Sequence, residues 1–264
     1  MIIRSLINSV EVFKCGTEVE GRVLYWTHFY RYRDVVFDCG CPNIAREVTD
    51  ALKNSKVLLI THYHEDHVGA APLLRGGGTE VFASEKTIPL LQTPPRIPQY
   101  RRVVWGQPEP VKAEPLDKFM SFSKVDVEVI ETPGHTFDHV SFLADGLLFS
   151  GDLAISDKQA VWMREEEVNV TIKSLENVLK KDFEMAFGGP GPMSRLEVEA
   201  YLTYLKNLKE QVGEMYREGL SVSEIVERIF PKPPQVALIM EFVSEKEWAR
   251  ENMVKSILGI PRTP

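Results

Sequence analysis

Cysteine is scarce in this chain, with three residues, Cys15, Cys39 and Cys41, among 264. An odd handful in a long chain does not make a disulfide framework. The run of about 20 apolar residues that spans a bilayer is lacking as well. The opening "MIIRSLINSV" has neither a long apolar stretch nor a small-residue cleavage site. The expectation is a soluble, cytoplasmic protein with no membrane partner. Basic excess is also absent: the formal net charge of −7 argues against a surface that coats nucleic acid, though it leaves room for a local basic groove. What is present is an ordinary hydrophobic fraction of 44%, enough to bury a sizeable core in one large domain or a domain with an appendage.

Strand patterns dominate the first half, at Val10–Lys14, Arg22–His28 and Asp34–Asp38. A helix over Ile44–Lys53, a buried strand at Lys56–Ile60, a helix start within "DHVGAAPLL" and a strand at Glu80–Ala83 follow. Residues 93 to 115 are proline-rich and lack a helical period, so they read as a long surface excursion. Strand signals return at Val125–Glu131, and Asp145-Gly146 between apolar runs marks a tight hairpin. A helix over Glu165–Lys180 and a strand at Phe183–Phe187 complete this part. Strands with interleaved helices predict mixed sheets with helices packed outside. After Gly191 the pattern is helical only, with candidate capping boxes at Ser194/Glu197, Ser221/Glu224 and Ser244/Glu247. The expected division is 1–192 for the α/β domain and 193–264 for a helical appendage.

The chemistry concentrates in "THYHEDHVGA", where His62, His64, Asp66 and His67 follow the buried strand. Side chains two apart in an extended segment project to one side, so His62 and His64 can grip one ion. Asp66 and His67, at the first turn of a following helix, can face a second. Imidazole and carboxylate together suit zinc, iron or manganese. His135 follows a Pro-Gly turn in "ETPGHTFDH", and Asp152 ends a strand in "FSGDLA". They add a third imidazole and a carboxylate able to bridge two ions. Three of the chain's six histidines within six residues make an incidental polar loop a poor account.

His-x-His-x-Asp-His, then Pro-Gly-His-Thr, then Gly-Asp, resembles the metallo-β-lactamase superfamily over about residues 1–192, and "VVFDCG" resembles that family's first motif. The resemblance implies an αββα sandwich, two mixed sheets face to face with helices outside and metals in a cleft at one edge. It assigns His62, His64 and His135 to a first metal, and Asp66 and His67 to a second, with Asp152 bridging. Asp38 would support the metal loop from behind, and His139 would be structural. The family's usual fifth motif is Gly-His-Gly; here "GGPGP" sets Pro190, which has no side-chain donor, where that histidine is expected. Glu241 or a backbone carbonyl is left as a replacement. One tight zinc ion is expected, and at most a second weak one, with iron or manganese as other occupants.

These features predict hydrolysis of an ester-like bond, thioester or phosphodiester, by a metal-bound hydroxide that Asp66 orients, or forms by accepting a proton from the bound water. The segment "LKEQVGEMYREGLSVSEIVERIFP" is similar to the helical, winged-helix-like tail of the lactamase-like-protein-2 branch, which includes endoribonucleases and relatives of glyoxalase II. The substrate is then a small molecule or RNA. Acids slightly outnumber bases in the tail, which favours a packing cap or homodimer surface over RNA binding. A mononuclear iron centre resembling persulfide dioxygenases is the second reading. A non-catalytic metal-binding or interaction protein is the third, although a structural zinc closed by four ligands leaves Asp66 and Asp152 surplus. Cys39 and Cys41 read as small buried residues. Trp105, and Trp162 with Met163 in the segment Ile155–Arg164, are candidates for lining a cleft or filling the core.

Overall fold

A computed structural model describes residues 1–156 and 159–262. It divides into two compact units. The first joins Met1–Glu131, Asp138–Asp152 and Asp182–Arg195; the second joins Thr132–Phe137, Leu153–Lys181 and the chain from Leu196 on. Packing thus groups residues 132–137 and 153–181 with the C-terminal helices, whereas the motifs divide the chain at 192.

In chain order the strands are β1 (Ile2–Ile7), β2 (Val10–Cys15), β3 (Glu18–Val19), β4 (Arg22–Val23), β5 (Thr27–Tyr32), β6 (Val35–Phe37), β7 (Val57–Leu59), β8 (Glu80–Ala83), β9 (Glu114–Pro115), β10 (Phe119–Ser121), β11 (Asp126–Glu131), β12 (Val140–Ala144), β13 (Leu147–Gly151), β14 (Trp162–Met163), β15 (Met185–Gly188), β16 (Gly191–Ser194) and β17 (Trp248–Ala249). The first unit holds two mixed sheets, as expected. One runs β1-β2-β5-β6-β7-β8-β9 and the other β10-β11-β12-β13-β15-β16. The first becomes parallel from β6 onward; the second has one parallel pair, β13 with β15. Side chains alternate between faces. Val35, Phe37 and Leu59 therefore enter the core shared with Phe142, Phe149 and Phe187 of the second sheet, where the Phe37 and Phe149 rings stack at 3.6 Å. Val36, Leu58 and Ile60 point the other way, to a cluster with Val48 and Leu74 of the helices α1 (Ala45–Ala51) and α3 (Ala71–Gly76); α2 (Glu65–Val68) lies between them in sequence. Asp145 and Gly146 both take positive φ and join β12 to β13, the expected hairpin turn.

Four loops leave the carboxyl ends of parallel neighbours. Asp38 follows β6, His62–His67 follow β7, Asp152 follows β13 and Gly189 follows β15. Ligands of open α/β sheets gather at such ends.

Several local expectations change. The strand expected at Arg22–His28 is broken, with β5 starting at Thr27. The proline-rich excursion contains the short helix α5 (Gln99–Val104), which follows α4 (Ile88–Gln92). Its isolated six residues are too few to show a period. Trp105, Trp162 and Met163 are core residues at 6%, 1% and 1% exposure. Residues 157 and 158 of that segment lie outside the described residues.

In the second unit α6 (Val168–Val178) is followed by α7 (Arg195–Arg217), α8 (Val222–Ile229), α9 (Gln235–Val243) and α10 (Arg250–Leu258). Ser221 and Glu224 form the expected capping box. Ser244 and Glu247 do not cap α10. The chain instead makes the short strand β17, paired with β14, and Ser244 accepts the Trp248 amide at 3.0 Å. The apolar run of α9 conceals a helix with no polar face, which periodicity does not reveal. Among the described residues no helix is long and apolar enough to cross a membrane.

Candidate metal centre

Asp38 organises the donors of the first unit from a left-handed backbone conformation, φ 59°. Its Oδ1 accepts the Thr61 amide at 2.8 Å, and its Oδ2 accepts the Thr61 hydroxyl at 2.8 Å and His67 Nδ1–H at 2.7 Å. Because the Thr61 hydrogen goes to Asp38, the hydroxyl oxygen accepts from His62 Nδ1 at 3.0 Å. Both imidazoles thereby keep a proton on Nδ1, which leaves Nε2 as the nitrogen able to ligate a cation. Sequence reasoning places Asp38 behind the metal loop but misses Thr61 as the second link. Its position between the apolar run and the first histidine is the available signal.

His62, His67 and Asp152 each offer one donor atom, and these atoms lie within 4.8 Å of one another. The buried His67 Nε2 makes no hydrogen bond. It stands 3.4 Å from Asp152 Oδ1 and 3.8 Å from Asp66 Oδ2. Burial alone would lower the His67 pKa, but Asp38, Asp152 and Asp66 outweigh it and raise the value well above the ordinary range. Burial and then Asp152 and Glu65 raise Asp66, against His67 and His64. A buried imidazole nitrogen among crowded carboxylates is a donor set that a divalent cation fits. The His64 ring lies 4.7 Å from that of His62.

His139 Nε2 accepts the Asp152 amide at 3.0 Å. That nitrogen is engaged, so His139 positions Asp152 from behind. Asp138 accepts the Tyr63 amide at 3.1 Å and the Thr87 hydroxyl at 2.8 Å, which steadies the histidine loop. Glu65 forms a two-pronged pair with Arg101 of α5, both bonds 2.7 Å. The excursion is thus clamped to α2 beside Asp66.

The "GGPGP" turn does border these donors. Gly189 N–H donates to the Gly151 carbonyl at 3.0 Å. A Cβ on Gly189 would fall 2.1 Å from Asp152 Oδ1 and 3.2 Å from His67 Cε1. His28 Nδ1–H donates to the Gly189 carbonyl at 2.9 Å, and the Tyr30 hydroxyl donates to the Gly188 carbonyl at 2.5 Å. No sequence signal marks His28 or Tyr30, because they meet the turn only through the fold. Glu241, in the second unit, is paired with Arg250, at 2.7 Å to Nε and 2.9 Å to a terminal nitrogen of the guanidinium. Cys39 and Cys41 are fully buried. Burial pushes the Cys41 thiol up to about 12 and raises Cys39 as well, so both are inert core residues. His135 is carried by the second unit, 4% exposed, with Nδ1 3.8 Å from Glu166 Oε1.

Residues 33–189 match the family model described as the metallo-beta-lactamase superfamily, more than half of the chain. A β-lactamase-like protein 2 homolog of Drosophila melanogaster is 27% identical over 77% of this chain and 72% of its own length. A hydroxyacylglutathione hydrolase of Shewanella loihica is 34% identical over 44% of this chain and 41% of its own length. A metallo-β-lactamase family protein of Thermus thermophilus superposes with a TM-score of 0.64 at 17% identity, covering 93% of this chain and 90% of that one. That likeness shows the fold. Fold, motif order and the family model agree: the chain belongs to the metallo-β-lactamase superfamily.

Proposed function

We propose that the protein is a metal-dependent hydrolase of an ester-like bond, with a thioester favoured over a phosphodiester. The observation that carries this reading is the buried Nε2 of His67, which makes no hydrogen bond and faces Asp66 and Asp152. The thioester preference rests on relatives named hydroxyacylglutathione hydrolase. His62, His64 and His135 are proposed to hold one tight zinc ion; Asp66, His67 and Asp152 would hold a second, weaker one. A bound dication supplies Lewis acidity and lowers the pKa of water to about 7. Asp66 then orients the attacking water or accepts its proton, while Asp38 and His139 keep His67 and Asp152 aimed.

Pro190 gives the turn no donor, which supports a one-metal centre and keeps a mononuclear iron oxidation of persulfides as a second reading. Elemental analysis after dialysis against a weak chelator tests both, alongside assays with glutathione thioesters, phosphodiesters, β-lactams and, by oxygen uptake, glutathione persulfide. About one retained zinc with thioester turnover is expected. One iron with oxygen uptake selects the oxidative reading, and two firmly held ions refute the one-tight-metal assignment.

A further inference from the structure

The second unit surrounds His135 with a buried polar chain that the proposed hydrolysis does not use. Glu166 is 6% exposed and its Oε1 lies 3.8 Å from His135 Nδ1. The Met163 amide donates to that same Oε1 at 2.9 Å, and the Gln159 side-chain amide donates to Oε2 at 3.3 Å. Gln159 is itself fixed from α7: the Tyr201 hydroxyl donates to its Oε1 at 2.7 Å, and the Tyr204 hydroxyl donates to its backbone carbonyl at 2.7 Å. Because Tyr201 occupies the amide oxygen, the Gln159 NH2 is turned toward Glu166. Gln159 and Tyr201 are 8% and 2% exposed. Arg262 donates to the Glu166 backbone carbonyl and to the Glu167 carboxylate.

A carboxylate buried this deeply is costly unless its charge serves a neighbour, and apolar packing of similar volume is often the more stable alternative. A carboxylate beside the distal nitrogen of a metal-binding histidine draws the proton to that nitrogen, leaves the lone pair on the other and raises ligand basicity. At 3.8 Å the contact is longer than a hydrogen bond, and such contacts commonly tighten when the site is loaded. We infer that Glu166 is a positioning residue for His135, setting its tautomer and orientation, and that Tyr201 of α7 supports it through Gln159. The inference rests on His135 being a metal ligand. It gives the helices after residue 195 a role in metal retention.

The test compares the full-length parent with Glu166→Gln, Glu166→Asp and Tyr201→Phe. The readouts are zinc affinity by chelator competition, the visible spectrum of the cobalt-loaded protein, and the melting midpoint of the metal-free form. Glu166→Gln should lose about 10- to 100-fold in affinity and alter the cobalt spectrum, with a nearly unchanged metal-free melting midpoint. Glu166→Asp, which keeps the charge, should recover part of the loss. Tyr201→Phe, which removes one hydroxyl, should weaken binding in the same direction and by less, and it carries the comparison if Glu166→Gln does not fold. Parental affinity and spectrum in Glu166→Gln overturn the inference, as does a lowered melting midpoint with affinity unchanged. A parent that binds no metal overturns the underlying assignment of His135 instead.

Discussion

Asp38 decides how two imidazoles present themselves, one directly and one through Thr61. Asp38→Asn keeps the shape but removes the charge and offers an amide NH2 where an acceptor is needed. Metal affinity should fall by about 10- to 100-fold, measured by chelator competition; parental affinity would show that the tautomers are set some other way. His28 permits a second test at this scale. Its pKa is lowered, chiefly by burial and further by Lys14, against the opposing bond to the Gly189 carbonyl. The unfolded chain, with an ordinary value of about 6.5, therefore binds this proton more readily than the folded one. The stability this group contributes is complete above about pH 6.5 and is lost as pH falls through the folded value. Melting midpoints taken from about pH 7.5 to about pH 5 should fall more steeply for the parent than for His28→Gln, whose amide still reaches Gly189. Equal slopes would remove His28 from the acid response.

At the scale of elements, the turn between β15 and β16 shows what a sequence conveys and what it withholds. The strand ends that carry Asp38, His62 and Asp152 are legible because apolar runs and their polar termini are local patterns. Pro190 is equally legible as a missing donor. The clamp on that turn is not, since His28 lies 161 residues away from Gly189 and nothing near it in the chain hints at the pairing. Arg101 is hidden for the same reason, 36 residues from Glu65 and on a helix too short for a period. Gly189 itself admits no side chain: Gly189→Ala would drive a methyl into Asp152 Oδ1. The carboxylate must then move or the turn must open. A stability loss of about 1–3 kcal/mol and weaker metal binding are expected, read by denaturant unfolding and chelator competition. A variant with parental stability and affinity would mean that the turn does not support Asp152.

At the scale of the whole molecule, the second unit ties the His135 segment to the C-terminal helices. A Cβ on Gly134 would lie 2.3 Å from the Thr171 hydroxyl of α6, and the Ser174 hydroxyl donates to the Pro133 carbonyl at 2.6 Å. Glu167 N–H donates to the Gly134 carbonyl at 2.6 Å. The start of α6 is in turn held by α10: Val168 N–H donates to the Ser256 hydroxyl at 2.8 Å, and the Asn169 amide donates to the Ile257 carbonyl at 2.9 Å. Asn252 donates to the Trp162 carbonyl at 2.9 Å, and β14 pairs only with β17 among the described residues. Ending the chain at Arg195 removes each of these α10 and β17 partners and uncovers Trp162, Val168 and Ile172. Exposed apolar surface of that kind promotes association, and the segment that carries His135 loses the support beneath it. The shortened chain should therefore elute as aggregate in size-exclusion chromatography. Its soluble fraction should retain well under one metal per chain after the dialysis that leaves the parent loaded. Soluble monomer with undiminished metal content would instead make the helices a separable module, and His135 would then be held by the rest of the chain alone.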